Sequence, residues 1–344
     1  MRLIETEGLT KVYQREGRWF PSANDAMPVV DRVSLHVDKG ETLGLVGESG
    51  SGKSTLARLL LGLETATEGR LLFGGEEVTR WGFKRLRTIR SRMQMVFQNS
   101  YSSFDPLFTV ERIVGEPLSS YGGMAALERR RVILESLDMV GLESAYAERY
   151  PHELSGGQLQ RVNIARALVL QPELLICDEP FSSLDFKLRR QILTLFEELK
   201  IRLGLSYLYI THDLSSVSRF CDRVAVMYKG QIVETLPAAR IAEEAIHPYT
   251  RSLLDAVPVQ DPRLRRSRTG RPFGEPALSQ GERVTQGCRF CSRCPAAMPV
   301  CFAVEPVLET KRPSHQAACH LYANEAEGKA DQTFQIVKEQ GQLR

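Results

Sequence analysis

Residues 47–55, with the sequence Gly-Glu-Ser-Gly-Ser-Gly-Lys-Ser-Thr, constrain the fold more than any other part of the chain. They match the pattern G-x-x-x-x-G-K-S/T between the apolar runs 42–46 and 56–62, which predicts a strand, a glycine loop and a helix. Such a loop binds phosphate, because its backbone N–H groups converge on phosphate oxygens and the helix directs its positive dipole end toward them. We expect Lys53 to reach the β- and γ-phosphates and the Ser54 hydroxyl to ligate Mg²⁺. The predicted phosphate-binding residues are Gly47, Ser49, Gly50, Ser51, Gly52, Lys53, Ser54 and Thr55.

The length and composition are those of an ordinary globular protein. With 344 residues, 42% of them apolar and 25% charged, the chain is long enough for about two domains. No apolar run approaches the roughly 18 residues of a membrane-spanning helix, and residues 1–5 lack the apolar core of a signal peptide. We therefore expect a cytosolic protein. The formal net charge of +3 is too small to indicate a nucleic-acid partner.

The segments before the loop predict two strands and one candidate for base binding. Residues 3–10 are typical of a first strand that ends near Tyr13, and residues 29–37 alternate as a half-buried strand does. Tyr13 has two open interpretations, stacking on an adenine ring or packing in the core. The polar insertion 14–28 carries Trp19 and Phe20, which contact either a partner or the insertion's own surface.

A second glycine motif lies at the start of a predicted helix. Residues 154–158, Leu-Ser-Gly-Gly-Gln, directly precede the apolar-periodic residues 162–168. A serine followed by two glycines at a helix start offers another anion-binding nest, although a capped helix start explains Ser155 equally well. Upstream, residues 93–97 predict a buried strand that ends at Gln98.

Two carboxylates end the next predicted strand. Residues 174–177 are apolar and lead into Asp178 and Glu179, as in a buried parallel strand that delivers acids to a ligand site. Asp178 is the candidate partner of Mg²⁺, and Glu179 is the candidate that positions or deprotonates an attacking water; solvated carboxylates are the alternative. An amphipathic helix follows, stopped by Gly204. The next strand ends at His212, the candidate γ-phosphate contact.

In this order, the motifs resemble one family specifically, the ATP-binding subunits of ABC transporters, over about residues 1–240. Residues 47–55 are similar to the family's Walker A loop, Gln98 to its Q-loop glutamine, residues 154–158 to its LSGGQ signature, residues 174–179 to its Walker B strand, residues 182–185 to its D-loop, and His212 to its switch histidine. Tyr13 falls where the family has an adenine-stacking aromatic. The resemblance implies an ATPase that uses Mg²⁺, with Glu179, His212 and Gln98 in catalysis and Gln98 also at the metal.

The resemblance also implies an architecture. The fold class is α/β: a RecA-like core, a small antiparallel β subdomain and a helical subdomain over about residues 99–165. A C-terminal extension then occupies residues 241–344. In the family two subunits form a sandwich around ATP, so that the signature of one subunit binds the nucleotide of the other. The signature residues concerned are Ser155, Gly156, Gly157 and Gln158.

Residues 99–106 and 247–254 look like the branch of the family that powers oligopeptide, dipeptide and nickel importers. The branch implies two integral membrane permeases, a second ABC ATPase subunit in a heterodimer and an extracytoplasmic solute-binding protein. It also implies a peripheral position on the cytoplasmic face of the inner membrane. Phe181 and residues 186–188 depart from the branch, so the solute stays open between peptides, nickel and others. The alternative function is a soluble ABC ATPase of nucleic-acid repair or translation, but the chain has neither a long coiled-coil insertion nor a second cassette.

Five of the seven cysteines crowd the C-terminal end, namely Cys288, Cys291, Cys294, Cys301 and Cys319. In a cytosolic chain such a cluster favours metal over disulfides. The spacing is similar to a ferredoxin run and fits a tetrahedral zinc site as well. The resemblance implies a 4Fe-4S cluster on Cys288, Cys294, Cys301 and Cys319, because some ATPases of the peptide branch carry one at this spacing. Cys291 is then a spare thiol, and zinc is the alternative metal.

Overall fold

The computed structural model describes residues 1–13, 28–97, 103–121, 123–181, 184–257 and 286–322. The chain divides into two compact units. The first comprises Met1–Ile232 and Pro237–Ala242, and the second comprises Val233–Leu236 and Glu243–Arg344. In the described residues no helix is long and apolar enough to cross a membrane.

The first unit begins with an antiparallel sheet. Its strands lie in the order β2-β1-β4-β5, and β1 pairs with β2 on one side and β4 on the other. Alternating burial along β2 matches the predicted half-buried strand, because one face of an antiparallel sheet packs on the core while the other is solvated. The strands are β1 (Arg2–Lys11), β2 (Val30–Asp38), β4 (Glu68–Phe73) and β5 (Glu76–Glu77).

A parallel sheet forms the centre of the first unit. Its strands lie in the order β9-β3-β8-β7-β6, and every neighbouring pair is parallel. All residues of β3, β7 and β8 are buried, as expected for parallel strands covered on both faces. Because the strands are parallel, their carboxyl ends meet at one edge of the sheet. The strands are β3 (Thr42–Val46), β6 (Met93–Val96), β7 (Leu174–Asp178), β8 (Ser206–Thr211) and β9 (Arg223–Tyr228).

Seven helices of the first unit are described. The longest, α6, begins where Asp185 accepts a hydrogen bond from the Leu188 amide at 2.9 Å, and it ends at Gly204, which has a φ of +66°. Its buried face includes Ile192 and Phe196, as the spacing predicts. The helices are α1 (Lys53–Leu60), α2 (Phe83–Arg90), α3 (Val110–Tyr121), α4 (Ala126–Met139), α5 (Gly156–Leu168), α6 (Phe186–Leu203) and α7 (Leu214–Phe220).

The second unit contains a small antiparallel sheet. Residues 233–236 of β10 pair with β12, which pairs with β11. The remaining elements of the chain are β10 (Gln231–Pro237), α8 (Ile241–Glu244), α9 (Pro248–Ala256), α10 (Pro299–Ala303), β11 (Glu309–Arg312) and β12 (His315–Ala317).

A buried carboxylate fixes the start of α9. Glu234 and His315 are both 0% exposed, and their Oε1 and Nε2 atoms lie 2.8 Å apart. The same Oε1 accepts the backbone N–H of Ile246 at 2.7 Å. His247 is the N-cap of α9, since its Nδ1 accepts the N–H of Tyr249 at 3.1 Å. The histidine thus caps the helix that the next residue, Pro248, begins.

Candidate active site

The phosphate loop joins β3 to α1 at the carboxyl edge of the parallel sheet. Two of its glycines are required by close contact with main chain. A Cβ atom at Gly47 would lie 2.2 Å from the carbonyl oxygen of Met227, and one at Gly52 would lie 2.4 Å from the carbonyl oxygen of Val29. Gly52 also has a φ of +106°, which side chains other than glycine rarely adopt. Steric constraints therefore specify the loop before any ligand binds.

Lys53 is held inside the loop. It is 6% exposed, and its Nζ donates to the carbonyl oxygens of Gly47 at 2.8 Å and Glu48 at 2.9 Å. Burial lowers the pKa of Lys53, while the carboxylates of Glu179 and Asp178 act in the opposite direction. The amine therefore lies between the loop carbonyls and the acid pair, where a phosphate bound in the loop would meet it.

Asp178, the last residue of β7, is directed at the start of α1. It is 9% exposed, and burial raises its pKa, while a hydrogen bond from the Ser54 hydroxyl and the nearby Lys53 charge lower it. Magnesium in such sites is held by the loop serine, one carboxylate and the phosphates of the substrate. The donor set of Ser54 and Asp178 fits that arrangement.

Glu179 and His212 meet at the ends of neighbouring strands. The His212 Nδ1 atom lies 3.3 Å from Glu179 Oε1. The backbone of Glu179 is in the left-handed region with a φ of +46°, and its N–H donates to the carbonyl of Ile210 at 2.9 Å. Such a backbone costs on the order of 1–3 kcal/mol and is found mainly at functional sites, where the surrounding structure enforces it.

The switch loop around His212 is fixed on both sides. The Asp213 amide donates to Thr211 Oγ1 at 3.0 Å, and the Asp213 carboxylate caps α7 by accepting the Ser215 amide at 3.0 Å. The His212 side chain between them is 64% exposed. The structure thus brings Lys53, Ser54, Asp178, Glu179 and His212 to one edge of the sheet, with the imidazole open to a ligand.

The signature residues start α5. Ser155 is the N-cap, and its backbone N–H donates to Gln158 Oε1 at 2.8 Å while the Gln158 amide donates back to Ser155 Oγ at 3.4 Å. The capping box shows that Ser155 caps the start of α5, which is one of the two interpretations that the sequence allowed. Ser155 and Gly156 are nevertheless exposed, so the positive end of α5 is open to an anion from outside this subunit.

Tyr13 lies two residues beyond β1 and is 43% exposed. Its hydroxyl donates to the Glu64 carboxylate and also lies beside Thr55, the last residue of the phosphate loop. The interpretation of Tyr13 as a core residue is therefore wrong. An exposed ring next to the phosphate loop is suited to stacking on a base.

Comparisons with known proteins agree with this geometry. Residues 30–182 match the family model described as ABC transporter, and residues 233–301 match the one described as oligopeptide/dipeptide transporter, C-terminal region. The chain is 41% identical to the oligopeptide transport ATP-binding protein AppF of Bacillus subtilis (strain 168), over 93% of this chain and 98% of that protein. It is 43% identical to the oligopeptide transport ATP-binding protein OppF of Escherichia coli (strain K12), over 85% of this chain and 87% of that protein.

The chain belongs to the ATP-binding subunits of ABC transporters, in the oligopeptide/dipeptide group. Members of this group hydrolyse ATP to drive transport. The solved dimeric structure of the ATP-binding cassette MJ0796 in a post-hydrolysis state, bound to ADP and Pi, is similar at 31% identity and a TM-score of 0.60. The match covers 68% of this chain and 98% of the MJ0796 chain. The predicted α/β fold of an ABC ATPase is confirmed.

Several predicted residues of this ABC subunit fall outside the described part of the chain. They are Gln98, the D-loop residues Ser182 and Ser183, and the insertion residues Trp19 and Phe20. The other predicted nucleotide-site residues are described. Two contacts that the sequence did not predict complete the site: Glu64 accepts the Tyr13 hydroxyl, and the Gly230 amide donates to the carbonyl of Ser51 at 2.8 Å. The Lys-Gly turn at 229–230 is a visible turn signal, whereas nothing in the sequence marks Glu64.

All five C-terminal cysteines of the ABC subunit line one small cavity in the second unit, together with His247 and His320. Burial raises the pKa of Cys288 to about 11 and that of Cys319 to about 12, so these thiols are protonated in the absence of a cation. Among the described residues, no group of three or more His, Cys, Asp or Glu side chains is arranged to hold a metal ion. The predicted metal centre therefore stays a prediction.

Proposed function

We propose that this chain hydrolyses ATP at the edge formed by Lys53, Asp178 and Glu179 and thereby energises the import of peptides or a related solute. The contact between Glu179 and His212 carries the proposal, because it sets a base and an orienting group beside the phosphate loop. The names of the relatives, which are oligopeptide transport ATP-binding proteins, support a peptide as the solute. Nickel and other solutes are the alternatives within the group.

Each residue has a role in this proposal. The amides of Gly47, Ser49, Gly50, Ser51, Gly52 and Thr55, with Lys53, hold the phosphates, and Tyr13 stacks on adenine. Ser54, Asp178 and Gln98 hold Mg²⁺, which neutralises charge on the phosphates. Glu179 accepts the proton of the attacking water, and His212 keeps the carboxylate oriented toward it. Phosphoryl transfer depends mainly on such positioning and charge.

A second ABC subunit completes the site. Ser155, Gly156, Gly157 and Gln158 would bind the nucleotide held by that subunit, and the exposure of Ser155 and Gly156 at the start of α5 supports this. The dimeric ATP-binding cassette in the similar solved structure supports a sandwich. We favour a heterodimer, with a homodimer as the alternative. The ATPase domain would cover residues 1–240, its helical subdomain about residues 99–165, and the extension residues 241–344.

The permeases would dock beside the segment 98–105. A groove of about 180 Å³ opens in the first unit at Phe97, the residue that precedes this segment in the sequence. It is lined mainly by apolar side chains such as Met93, Met95, Phe97 and Pro117. An apolar groove suits an amphipathic helix of a membrane subunit. The complete importer would have two permeases, two ATPases and an extracytoplasmic binding protein. The chain would lie peripherally on the cytoplasmic face of the inner membrane.

Purification of the tagged full chain from solubilised membranes tests this assignment. Two integral membrane subunits, a second ABC subunit and an attached solute-binding protein are expected in the eluate. Ribosomes or DNA without any integral membrane protein would instead favour the soluble repair or translation function. The solute that the captured binding protein carries would decide between a peptide, nickel and another solute.

For the cysteine cavity we propose a 4Fe-4S cluster on Cys288, Cys294, Cys301 and Cys319, with Cys291 as the spare thiol. The four thiols line one cavity, which supports a shared site for a metal group. A single zinc ion holds four sulfurs about 2.3 Å from one point. A cluster binds each thiolate to a different iron, so its sulfurs stand farther apart. The cluster would fasten a small extension that has little core of its own. Zinc is the alternative.

Anaerobic purification with iron, sulfide and zinc analysis tests the cluster. Cys319→Ser should lose iron and sulfide together, whereas Cys291→Ser should keep both. The opposite pattern would show that Cys291 is the ligand. Stoichiometric zinc without sulfide would show that the cysteines hold a zinc ion and not a cluster.

A further inference from the structure

Glu64 lies in the loop that follows α1. Its carboxylate contacts three side chains, two from the end of β1 and the residues just after it and one from α1. It accepts a hydrogen bond from the hydroxyl of Tyr13. Arg58 Nη1 lies 3.5 Å from its Oε1, and Lys11 Nζ lies 3.9 Å from its Oε2. The Glu64 side chain is only 20% exposed, so these contacts are partly shielded from water. Two cations and one hydroxyl therefore hold a single carboxylate in place.

The backbone around this carboxylate is tied to the end of β1. The Val12 amide donates to Thr67 Oγ1 at 3.1 Å, and the Thr67 amide donates to the Thr10 carbonyl at 2.8 Å. The Lys11 amine also donates to the carbonyl of Thr65 at 2.8 Å. The loop after α1 and the chain leading to Tyr13 thus form one hydrogen-bonded unit, and Glu64 occupies a defined position relative to the ring.

The Tyr13 ring is held through its hydroxyl and by Lys11 over one face, and much of its surface stays exposed. The Lys11 Nζ atom lies 5.1 Å from the ring centroid, within the range of a cation–π contact. Partial burial and the Glu64 carboxylate raise the pKa of the phenol, so the hydroxyl remains a hydrogen-bond donor at neutral pH. The ring is 43% exposed, and the hydroxyl lies between Glu64 and Thr55 of the phosphate loop.

We propose that Glu64 is a positioning residue for the nucleotide base: it fixes the Tyr13 ring in the orientation in which adenine stacks on it. This inference rests on the proposed role of Tyr13 as the stacking surface. A ring just beyond the end of a strand would otherwise sample several rotamers, and ordering it would weaken binding. Glu64 does not contact the nucleotide in this scheme. It acts through the hydroxyl of Tyr13, with Lys11 and Arg58 holding its charge.

Binding of ATP and of inorganic tripolyphosphate to the full-length chain tests the inference. Tripolyphosphate occupies the phosphate loop but has no base to stack. Glu64→Ala should weaken ATP binding several-fold and leave tripolyphosphate binding unchanged. Glu64→Gln should retain most of the ATP affinity, because its amide oxygen still accepts the Tyr13 hydroxyl. Glu68→Ala is the matched control, since Glu68 is an exposed carboxylate in the neighbouring strand β4, and it should change neither affinity.

A double substitution shows whether Glu64 acts on ATP binding through Tyr13 or through the structure of the loop that follows α1. Tyr13→Phe keeps the ring and removes the hydroxyl, so it should weaken ATP binding about as much as Glu64→Ala. Adding Glu64→Ala to Tyr13→Phe should then have no further effect. Additive losses, or an equal loss of tripolyphosphate binding, would assign Glu64 a structural role in the loop and overturn the inference.

Tyr13→Ala distinguishes failure of this inference from failure of the proposed role of Tyr13. If Tyr13→Ala weakens ATP binding about tenfold or more and Glu64→Ala has no effect, the ring stacks without help from Glu64 and only the inference is wrong. If Tyr13→Ala leaves ATP binding unchanged, the ring is not the stacking surface and both are wrong.

Discussion

The Nδ1 atom of His212 lies 3.3 Å from the Oε1 atom of Glu179, although the two residues are 33 positions apart in the sequence. The sheet creates this contact. Strands β7 and β8 are parallel neighbours in which Asp178 pairs with Ile210, so Glu179 emerges beside Thr211, the residue that precedes His212. The proposed base and the histidine proposed to orient it are therefore placed by the ends of two neighbouring strands of the core.

His212→Ala should abolish most ATP hydrolysis and leave ATP binding nearly unchanged. In the proposed mechanism the imidazole orients Glu179, while the phosphates are held mainly by the phosphate loop and Lys53. Because Glu179 loses its orientation, turnover should fall by up to the roughly 10²–10⁴-fold that a positioned base typically contributes. Parallel measurements of steady-state hydrolysis and nucleotide affinity check this expectation. A variant with unchanged turnover would remove His212 from the mechanism.

Phe181 and Phe186 both lie where the chain departs from the peptide branch. Truncating them to alanine should lower the free energy of unfolding by very different amounts. Phe181 is 4% exposed, and its ring centroid lies 5.7 Å from that of Phe196 and 5.8 Å from that of Tyr209. Phe181→Ala should therefore lower the free energy of unfolding by about 3–5 kcal/mol. Phe186 is 70% exposed, so Phe186→Ala should change it by less than about 0.5 kcal/mol. Denaturant unfolding of both variants gives the comparison, and equal effects would contradict it.

Much of the active site followed from sequence because its motifs coincide with the ends of strongly apolar elements. The apolar residues 174–177, followed by Asp178 and Glu179, predict a buried strand, and β7 (Leu174–Asp178) contains this run with Asp178 at its end. The glycine loop and the start of α1 at Lys53 also lie where the pattern puts them. In these segments the local pattern and the tertiary environment favour the same structure.

Contacts between distant segments could not be predicted in the same way. Glu234 and His315 are 81 residues apart and are paired only by the strand contacts of the second unit. Glu64 meets Tyr13 through a loop without a motif. Leu127, in the first turn of α4, is 85% exposed although it is apolar. Periodicity identifies a helix, but which residues are covered depends on the neighbouring elements.

The stability of the second unit should fall as the pH is lowered. Burial lowers the pKa of His247 to about 4 in the folded chain, against the opposing effects of Glu234 and the Ala318 carbonyl. The pKa of an unfolded histidine is about 6.5. Between these values the unfolded chain binds more protons, so the free energy of unfolding falls by up to about 1.4 kcal/mol per pH unit. The contribution is fully present above the unfolded pKa.

His247→Asn is the control for this pH dependence, because asparagine can also cap α9 but does not titrate. Hydrogen exchange of the α9 amides in urea, corrected for intrinsic exchange rates, should show a loss of stability between about pH 7 and about pH 5 in the wild type and a smaller loss in the variant. Equal pH dependence in both proteins would show that other groups control it.

The most direct measurement is ATP hydrolysis by the complete membrane assembly in lipid vesicles, with wild-type chain or with Glu179→Gln. Glutamine keeps the size of the side chain but cannot accept the proton of the attacking water. Wild-type assemblies should hydrolyse ATP faster when the peptide-loaded binding protein is present. The variant should bind ATP and, at this chain's own nucleotide site, turn over on the order of 10²–10⁴-fold more slowly, so that the remaining hydrolysis comes from the partner subunit's site. Equal hydrolysis rates for the two assemblies would contradict the assignment of Glu179 as the catalytic base.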